Sequence, residues 1–235
     1  MKRALISIAL SAAFAGTAYA VPVQLITNGD FESGTLAGWT VNNTGAFGNN
    51  FYAIANGGVV PVSGQPTAVL AGGGNFVAVS DQNGSGGEEL RQGFTVAAET
   101  TSLILEFDWF NNTRTGQFGT AINGSEQVGR IDILSAGAAP LDTGAGVAMN
   151  LRLNVGTVTP FGTTIPWVHE AFDLSGLAPG NYEVRFGNGQ CCFYQELGVD
   201  NVSLLAVPEP ATTALLGLGL AGIGFVRRRS LGVQP

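Results

Sequence analysis

Apolar and polar residues alternate along several short segments in the middle of the chain, with the period of two that is typical of a half-buried β-strand. Leu105, Phe107 and Trp109 share one face of such a segment. Glu106 and Asp108 lie on the opposite face. The same alternation recurs at 90–96, 131–133, 151–155 and 182–186. Turns rich in Gly, Asn and Pro separate these segments, so the pattern predicts an all-β protein folded as a β-sandwich.

The amino terminus has the features of an export signal. Lys2 and Arg3 precede an apolar stretch over 4–16, and the small residues Ala18-Tyr19-Ala20 follow. This order is typical of a secretory signal peptide, which signal peptidase removes after Ala20. A membrane span is the alternative, but the apolar stretch is short and ends in small residues. We therefore predict a signal peptide over residues 1–20.

The carboxyl terminus contains, in order, Pro208-Glu209-Pro210, an uncharged apolar run over 211–226, and Arg227-Arg228-Arg229. The prolines resist helix formation and separate the tail from the preceding domain. As a helix the apolar run would be about 24 Å long, slightly less than a hydrocarbon core of about 30 Å. The arginines would extend that reach and remain on the cytoplasmic side. The pattern predicts a transmembrane helix over about 211–226.

This carboxyl-terminal order resembles the PEP-CTERM sorting signal of Gram-negative bacteria over residues 207–229. The resemblance implies that an exosortase, a membrane protease, recognises Pro208, Glu209 and Pro210 and cuts near them. It also implies a protein anchored in the inner membrane, facing the periplasm, and then moved to the cell surface or extracellular matrix. Proteins of this kind are associated with exopolysaccharide and biofilm. An ordinary tail anchor with a proline-bearing stalk is the alternative.

The segment between the two signals, residues 21–206, is long enough for one domain with its own core. It has five arginines, no lysine and sixteen carboxylates, which leaves a formal charge of −11. This balance excludes nucleic acid as an expected partner, because phosphates demand a basic surface. It is compatible with bound Ca²⁺, which prefers oxygen ligands, and equally with solubility through net charge.

Two sequence segments, one at each end of this domain, resemble the corresponding segments of galactose-binding-like jelly rolls in carbohydrate-binding modules. The first segment is Leu-Ile-Thr-Asn-Gly-Asp-Phe-Glu-Ser-Gly at residues 25–34. The last segment is Leu-Gly-Val-Asp-Asn-Val-Ser-Leu at residues 197–204. The resemblance implies a single jelly roll in which the first and last strands lie side by side.

The same resemblance implies a structural Ca²⁺ held by Glu32 and Asp200, with Asp30 as a neighbouring carboxylate. Carboxylates gathered in one place repel each other unless a cation neutralises them. The alternative is that Asp30 starts a turn and that Asp200 caps the end of a strand through the backbone.

A sugar-binding site would need exposed aromatic faces beside hydrogen-bonding groups. The aromatic candidates are Trp39, Trp109, Trp167, Tyr52, Phe118 and Tyr194. Trp109 is in phase with the core residues of its segment, and we expect Trp39 to pack against the first strand. Trp167 is the candidate least committed to the core.

The two cysteines, Cys191 and Cys192, are adjacent in sequence. In an oxidising periplasm such a pair can close a vicinal disulfide that stiffens a turn. Free thiols and cross-links between molecules are the alternatives. The C-x-x-C spacing of a redox motif is absent.

Catalytic motifs are missing from the sequence. His169 is the only histidine, and no Gly-x-Ser-x-Gly elbow is present. The run Gly72-Gly73-Gly74 lacks the Lys of a phosphate-binding loop and predicts a turn. We therefore expect a non-enzymatic protein of the cell surface or matrix. A carbohydrate-binding module that retains a polysaccharide is the alternative, and a secreted glycan hydrolase is the second alternative.

Overall fold

The computed structural model describes residues 20–45, 48–82, 84–114, 119–153, 157–191, 193–210 and Leu220. Their strands are β1 (Val23–Gln24), β2 (Thr40–Thr44), β3 (Asn50–Ala55), β4 (Phe76–Asp81), β5 (Gly86–Val96), β6 (Thr100–Thr113), β7 (Val128–Ser135), β8 (Val147–Leu153), β9 (Thr157–Val158), β10 (Val168–Asp173), β11 (Gly180–Gln190) and β12 (Gln195–Pro208). The strands form two sheets packed face to face, which confirms the predicted all-β sandwich.

The first sheet has the strand order β10-β6-β12-β4-β3, with β1 paired to β12 and β9 paired to β6. The second sheet has the order β2-β5-β11-β7-β8. In the first sheet Val23 lies opposite Ala206, so the first and last strands are antiparallel neighbours. This confirms the prediction, made from segments 25–34 and 197–204, that the first and last strands lie side by side.

The core forms where the inward faces of the two sheets meet. Leu105, Phe107 and Trp109 all point inward from β6 and are buried, as their alternation predicted. Phe107 meets Phe186 of the second sheet edge to face, with ring centroids 5.2 Å apart. Such a pair contributes about 0.5–1.5 kcal/mol beyond the area that it buries. Trp39 packs between Phe31 and Phe186, which confirms the expectation that it is buried.

Part of the outer face of the second sheet is also buried, which the half-buried strand pattern did not predict. Arg91 and Arg185 point outward, yet they are only 3% and 0% exposed. The segment 136–146, which connects β7 to β8, covers them. Arg91 donates from Nη1 to the carbonyl oxygen of Ala138 at 3.0 Å and from Nη2 to that of Ala139 at 2.7 Å. The predicted polar surface of these strands is therefore an internal layer of charge.

Backbone contacts group Pro22–Val207 into one compact unit, and the terminal segments into another. The predicted signal peptide, apart from Ala20, lies outside the described residues. So do Arg227, Arg228 and Arg229, and, apart from Leu220, the predicted transmembrane helix. Within the described ranges, no helix has the length and apolar character needed to span a membrane.

Candidate functional site

Asp200 is a carboxylate inside the sandwich without a bonding partner. It lies on β12, is 0% exposed, and neither of its oxygens accepts a hydrogen bond from the residues that the structure describes. Burial raises the pKa of Asp200 to about 8, and the negative charges of Asp108, Glu32 and Asp30 add to the shift. The nearby backbone N–H of Asn201 offsets the shift only in part. Ionising this group therefore costs free energy unless a cation is supplied.

Glu32, in the first segment of the domain (residues 25–34), lies near Asp200. Its Oε1 accepts hydrogen bonds from the backbone N–H groups of Asn75 at 2.6 Å and Phe76 at 2.9 Å, and Oε2 accepts one from Asn75 Nδ2 at 2.9 Å. The Phe76 N–H is the main cause that lowers the pKa of Glu32. Glu32 is therefore a fixed, ionised carboxylate near neutral pH.

The predicted turn over Gly72-Gly73-Gly74 brings these two carboxylates together. A Cβ atom at Gly73 would lie 2.7 Å from Asp200 Oδ2. A Cβ atom at Gly74 would overlap the carboxylate of Glu32. The absence of side chains at this turn lets both acidic groups approach the backbone closely. We call this place the glycine-turn site.

Asp30, the third predicted ligand, is exposed and takes part in a local turn, where its Oδ1 accepts the Glu32 N–H at 3.4 Å. Within the described part of the chain, no three Asp, Glu, His or Cys side chains lie close enough together to hold one metal ion. The structure thus brings Glu32 and Asp200 to one turn and leaves Asp30 as a nearby charge. The unpartnered oxygens of Asp200 fit a hard cation such as Ca²⁺.

The five described aromatic residues among those proposed for sugar binding do not form an open platform. Trp39, Trp109 and Tyr194 are buried. Trp167 is half-buried against Phe110, and its Nε1 donates to the Ala68 carbonyl oxygen at 2.8 Å. The half-buried Tyr52 donates its hydroxyl to the Gly48 carbonyl oxygen at 3.1 Å, and Phe118 lies outside the described residues.

A different aromatic site lies at one end of the sandwich, in a pocket of about 270 Å³ that we call the end pocket. Its lining residues are Ser63, Gly84, Arg114, Phe161, Gln190, Phe193 and Tyr194. Phe161 and Phe193 are 52% and 48% exposed. The Phe161 ring meets Tyr194 edge to face, with centroids 5.7 Å apart. Aromatic surface is thus held open to solvent beside polar groups.

Sequence reasoning found Tyr194 but missed Phe161 and Phe193, because both lie in connections between strands, where no periodicity marks a face. The flanking residues of Phe161, Pro160 and Gly162, were the available signal. An aromatic residue between two turn-forming residues cannot easily join a strand and is a candidate for exposure.

Buried acids lie behind the end pocket. The Oγ atom of Ser63 donates to Glu196 Oε1 at 3.1 Å, and the Ser63 backbone N–H donates to Asp81 Oδ1 at the same distance. Burial raises the pKa of Glu196 to about 9, and the charge of Asp81 adds to the shift. Burial also raises the pKa of Asp81 itself. Glu196 is therefore protonated and uncharged near neutral pH.

His169 and Cys191 offer little reactive chemistry. His169 is exposed, and its Nδ1 lies 3.0 Å from Asp108 Oδ1. Cys191 is disulfide-bonded. Cys192 lies outside the described residues, so its pairing with Cys191 stays a prediction.

The sorting motif begins where the last strand ends. Pro208 is the final residue of β12, and the Thr101 hydroxyl donates to the Val207 carbonyl oxygen at 2.9 Å just before it. Residues 206–229 match the PEP-CTERM protein-sorting motif. The chain is therefore an exported β-sandwich protein that carries a PEP-CTERM signal and is handled by an exosortase at the membrane.

Solved structures with a similar fold include carbohydrate-binding modules. TmCBM61, in complex with β-1,4-galactotriose, is 10% identical over 77% of this chain and 97% of its own, with a TM-score of 0.45. The K3 cleaved adhesin domain of Lys-gingipain from Porphyromonas gingivalis W83 is 16% identical over 78% of this chain and 98% of its own, with a TM-score of 0.47.

The enzymatically active domain of bacteriophage CBA120 tailspike protein 4 is 13% identical over 79% of this chain, with a TM-score of 0.47. This chain covers only 22% of that protein. No curated protein sequence matches the chain. At these scores the likeness concerns the fold alone and identifies no ligand or activity.

Proposed function

We propose that the exported domain is a non-enzymatic protein of the cell surface or extracellular matrix, and that it binds an exopolysaccharide at the end pocket. The observation that carries this proposal is the pair of half-exposed rings, Phe161 and Phe193, at the mouth of one pocket. Rings held open to water at a concave site offer apolar faces for the C–H surface of a sugar. The sorting signal supports the proposal, because the cell surface or matrix, its proposed destination, is where such a polymer would lie.

Polar groups beside the rings can orient a sugar. Gln190 lines the pocket and is already fixed, because its Oε1 accepts the Gln195 backbone N–H at 2.8 Å. That bond fixes the orientation of its side-chain amide. Ser63 lines the same pocket and donates to Glu196. A rigid polar rim of this kind suits recognition, because little side-chain entropy is lost on binding.

We favour binding over hydrolysis because the acids nearest the pocket are enclosed. Hydrolysis of a glycosidic bond uses two carboxyl groups that flank the bond. Glu196 is 1% exposed and Asp81 is 0% exposed, and both lie behind Ser63. Their burial keeps them from reaching a sugar at the pocket mouth.

We further propose a structural Ca²⁺ at the glycine-turn site, held by Asp200 together with Glu32. The ion would place a positive charge beside the buried Asp200, which has no cationic neighbour among the described residues. Glu32 is already ionised and fixed by its hydrogen bonds, so it can face the ion without reorganising. The role of this site is to fasten the opening of the domain to β12.

A glycan array tests the binding proposal. The full-length protein, purified in detergent with calcium, should bind at least one polysaccharide. The double substitution Phe161→Ala with Phe193→Ala should abolish that binding, and Phe161→Leu with Phe193→Leu should weaken it because the volume remains while the ring faces are lost. Val69→Ala, an exposed apolar change outside the pocket lining, serves as control. Absence of glycan binding, or unchanged binding by the alanine variant, would contradict the proposal.

A further inference from the structure

We propose that the end pocket selects a saccharide bearing a carboxylate, such as a uronic acid, and that Arg114 binds the carboxylate. This inference rests on the function proposed above and names the chemical class of its ligand. It follows from the arginine pairing of the domain, from the position of Arg114, and from the uncharged state of Glu196 behind the pocket.

The arginines of the domain are nearly all neutralised internally. Four of the five pair with carboxylates, as Arg91 with Glu89 and Glu183, Arg130 with Asp132, Arg152 with Glu170, and Arg185 with Glu89 and Asp132. Arg114 is exposed and forms no ion pair with any carboxylate that the structure describes. Because residues 21–206 contain no lysine, Arg114 is the side chain available there to attract an anion.

Arg114 is positioned at the pocket and not merely near it. Its backbone N–H donates to the Tyr194 carbonyl oxygen at 3.3 Å, which ties the residue to the pocket wall. Its guanidinium carbon lies 5.4 Å from the centroid of the Phe193 ring. A cation over an aromatic face is attracted to the ring, and this contact limits the motion of the guanidinium group. Among the residues that the structure describes, none accepts a hydrogen bond from the Arg114 side chain, so its N–H donors can bind a carboxylate with two parallel hydrogen bonds.

The aromatic and cationic parts of the pocket suit one ligand together. The Phe161 and Phe193 rings offer apolar faces for a sugar ring, and Arg114 stands beside Phe193. A uronic acid carries both features, because its carboxylate is attached directly to the sugar ring. A neutral hexose would use the rings and leave the guanidinium group unused.

Of the two buried acids behind the pocket, Glu196 adds no negative charge at neutral pH. Burial raises the pKa of Glu196 to about 9, so this carboxyl group, one hydrogen bond from the lining residue Ser63, is uncharged there. Asp81, the other acid, is buried and accepts the backbone N–H groups of Ser63 and Gln82, which partly compensate its charge. Exposed carboxylates farther from the pocket are screened by salt. Local recognition by Arg114 can therefore operate within an acidic protein.

Calorimetric titration of the full-length protein in detergent tests the inference. The probes are two matched pairs, trigalacturonate with galactotriose and trimannuronate with mannotriose, in the presence of a calcium chelator. At least one acidic trimer should bind about tenfold or more tightly than its neutral partner, as a charged hydrogen-bonded contact provides. Arg114→Met should abolish this preference without weakening the neutral trimer, and Arg114→Lys should retain only part of it. Arg152→Met, which removes an arginine on β8, should change neither.

The outcomes separate the inference from the function beneath it. Equal binding of acidic and neutral trimers, or unchanged selectivity in Arg114→Met, would overturn the role of Arg114 while polysaccharide binding stands. Failure of all four trimers, together with a glycan array on which nothing binds, would overturn both. Arg114-dependent binding of triglutamate as tight as that of the acidic trimers would overturn the assignment to a saccharide.

Discussion

The carboxylate of Asp200 packs against the backbone of Gly73, so closely that a Cβ atom there would lie 2.7 Å from Oδ2. The contact joins the last strand of the domain to a turn that also receives Glu32 from its opening. Because Asp200 has no hydrogen-bond partner among the described residues, ionising its carboxyl group costs free energy. Its behaviour with cations and with pH is therefore the first property to measure.

Calcium should stabilise the protein through Asp200. In the parent protein, Ca²⁺ at one hundred times its dissociation constant should add about 2.7 kcal/mol to the free energy of unfolding. Asp200→Asn should remove this gain, because the ion loses its buried ligand. With a chelator, the variant should melt at the same temperature as the parent or higher, because the cost of ionising the buried Asp200 is removed. Thermal melts with and without calcium measure both effects, with Glu99→Gln as an exposed control. An equal loss in calcium and in chelator would argue against the metal.

Stability in chelator should fall as pH rises from about 5 to 8. The folded-state pKa values of Asp200 and Glu196 are raised to about 8 and about 9, from ordinary values of 3.8 and 4.5. Over this window the folded protein keeps protons that the unfolded chain has released, so each group destabilises the fold by up to about 1.4 kcal/mol per pH unit. Denaturant titrations at three pH values measure the slope. Glu196→Gln should reduce it, and a stability that rises with pH would contradict the prediction.

Arg185 should be the most important charged residue for folding. It is fully buried and donates to Asp132 from Nε at 3.0 Å and to Glu89 from Nη1 at 3.3 Å. Arg185→Met should cost on the order of 3–5 kcal/mol, because two carboxylates remain buried with less positive charge around them. It should also expose the 136–146 segment to a nonspecific protease.

The matched control for Arg185 is Arg152, whose partly exposed pair with Glu170 lies on the surface. Arg152→Met should cost about 1 kcal/mol or less, since exposed ion pairs contribute little. Denaturant unfolding of the two variants measures the difference. Equal losses would mean that the buried network does not stabilise the fold as its geometry indicates.

The sorting signal should depend on Glu209. In a host that carries the exosortase, the parent protein should lose its tail and leave the membrane fraction. Glu209→Ala should retain the tail and remain in the membrane, because the Pro-Glu-Pro motif is broken. Mass spectrometry and fractionation measure both properties, and Glu99→Ala should behave as the parent. A variant of unchanged mass and location would show that the motif is not read.

Much of the sandwich could be predicted from alternation alone. Leu105, Phe107 and Trp109 marked the core side of β6 because each second residue meets the opposite sheet. The outer face of the second sheet could not be predicted in this way. Whether Arg185 faces water depends on the 136–146 segment, which is distant in sequence and has no periodicity of its own.

The candidate sites likewise include one that the sequence predicted and one that it did not. Glu32 and Asp200 were identified because segments 25–34 and 197–204 resemble those of carbohydrate-binding jelly rolls. The structure brings both residues to one turn, and the metal that they would bind stays a prediction. Phe161, Phe193 and Arg114 were not identified, because the end pocket is assembled from connections that only the folded chain brings together.

The last strand ends at the first proline of the sorting motif, and the compact unit Pro22–Val207 stops one residue earlier. Cutting the chain beyond that proline would leave every ladder of both sheets intact. A cut at the sorting motif would therefore leave the domain folded, with no refolding step after its release from the tail.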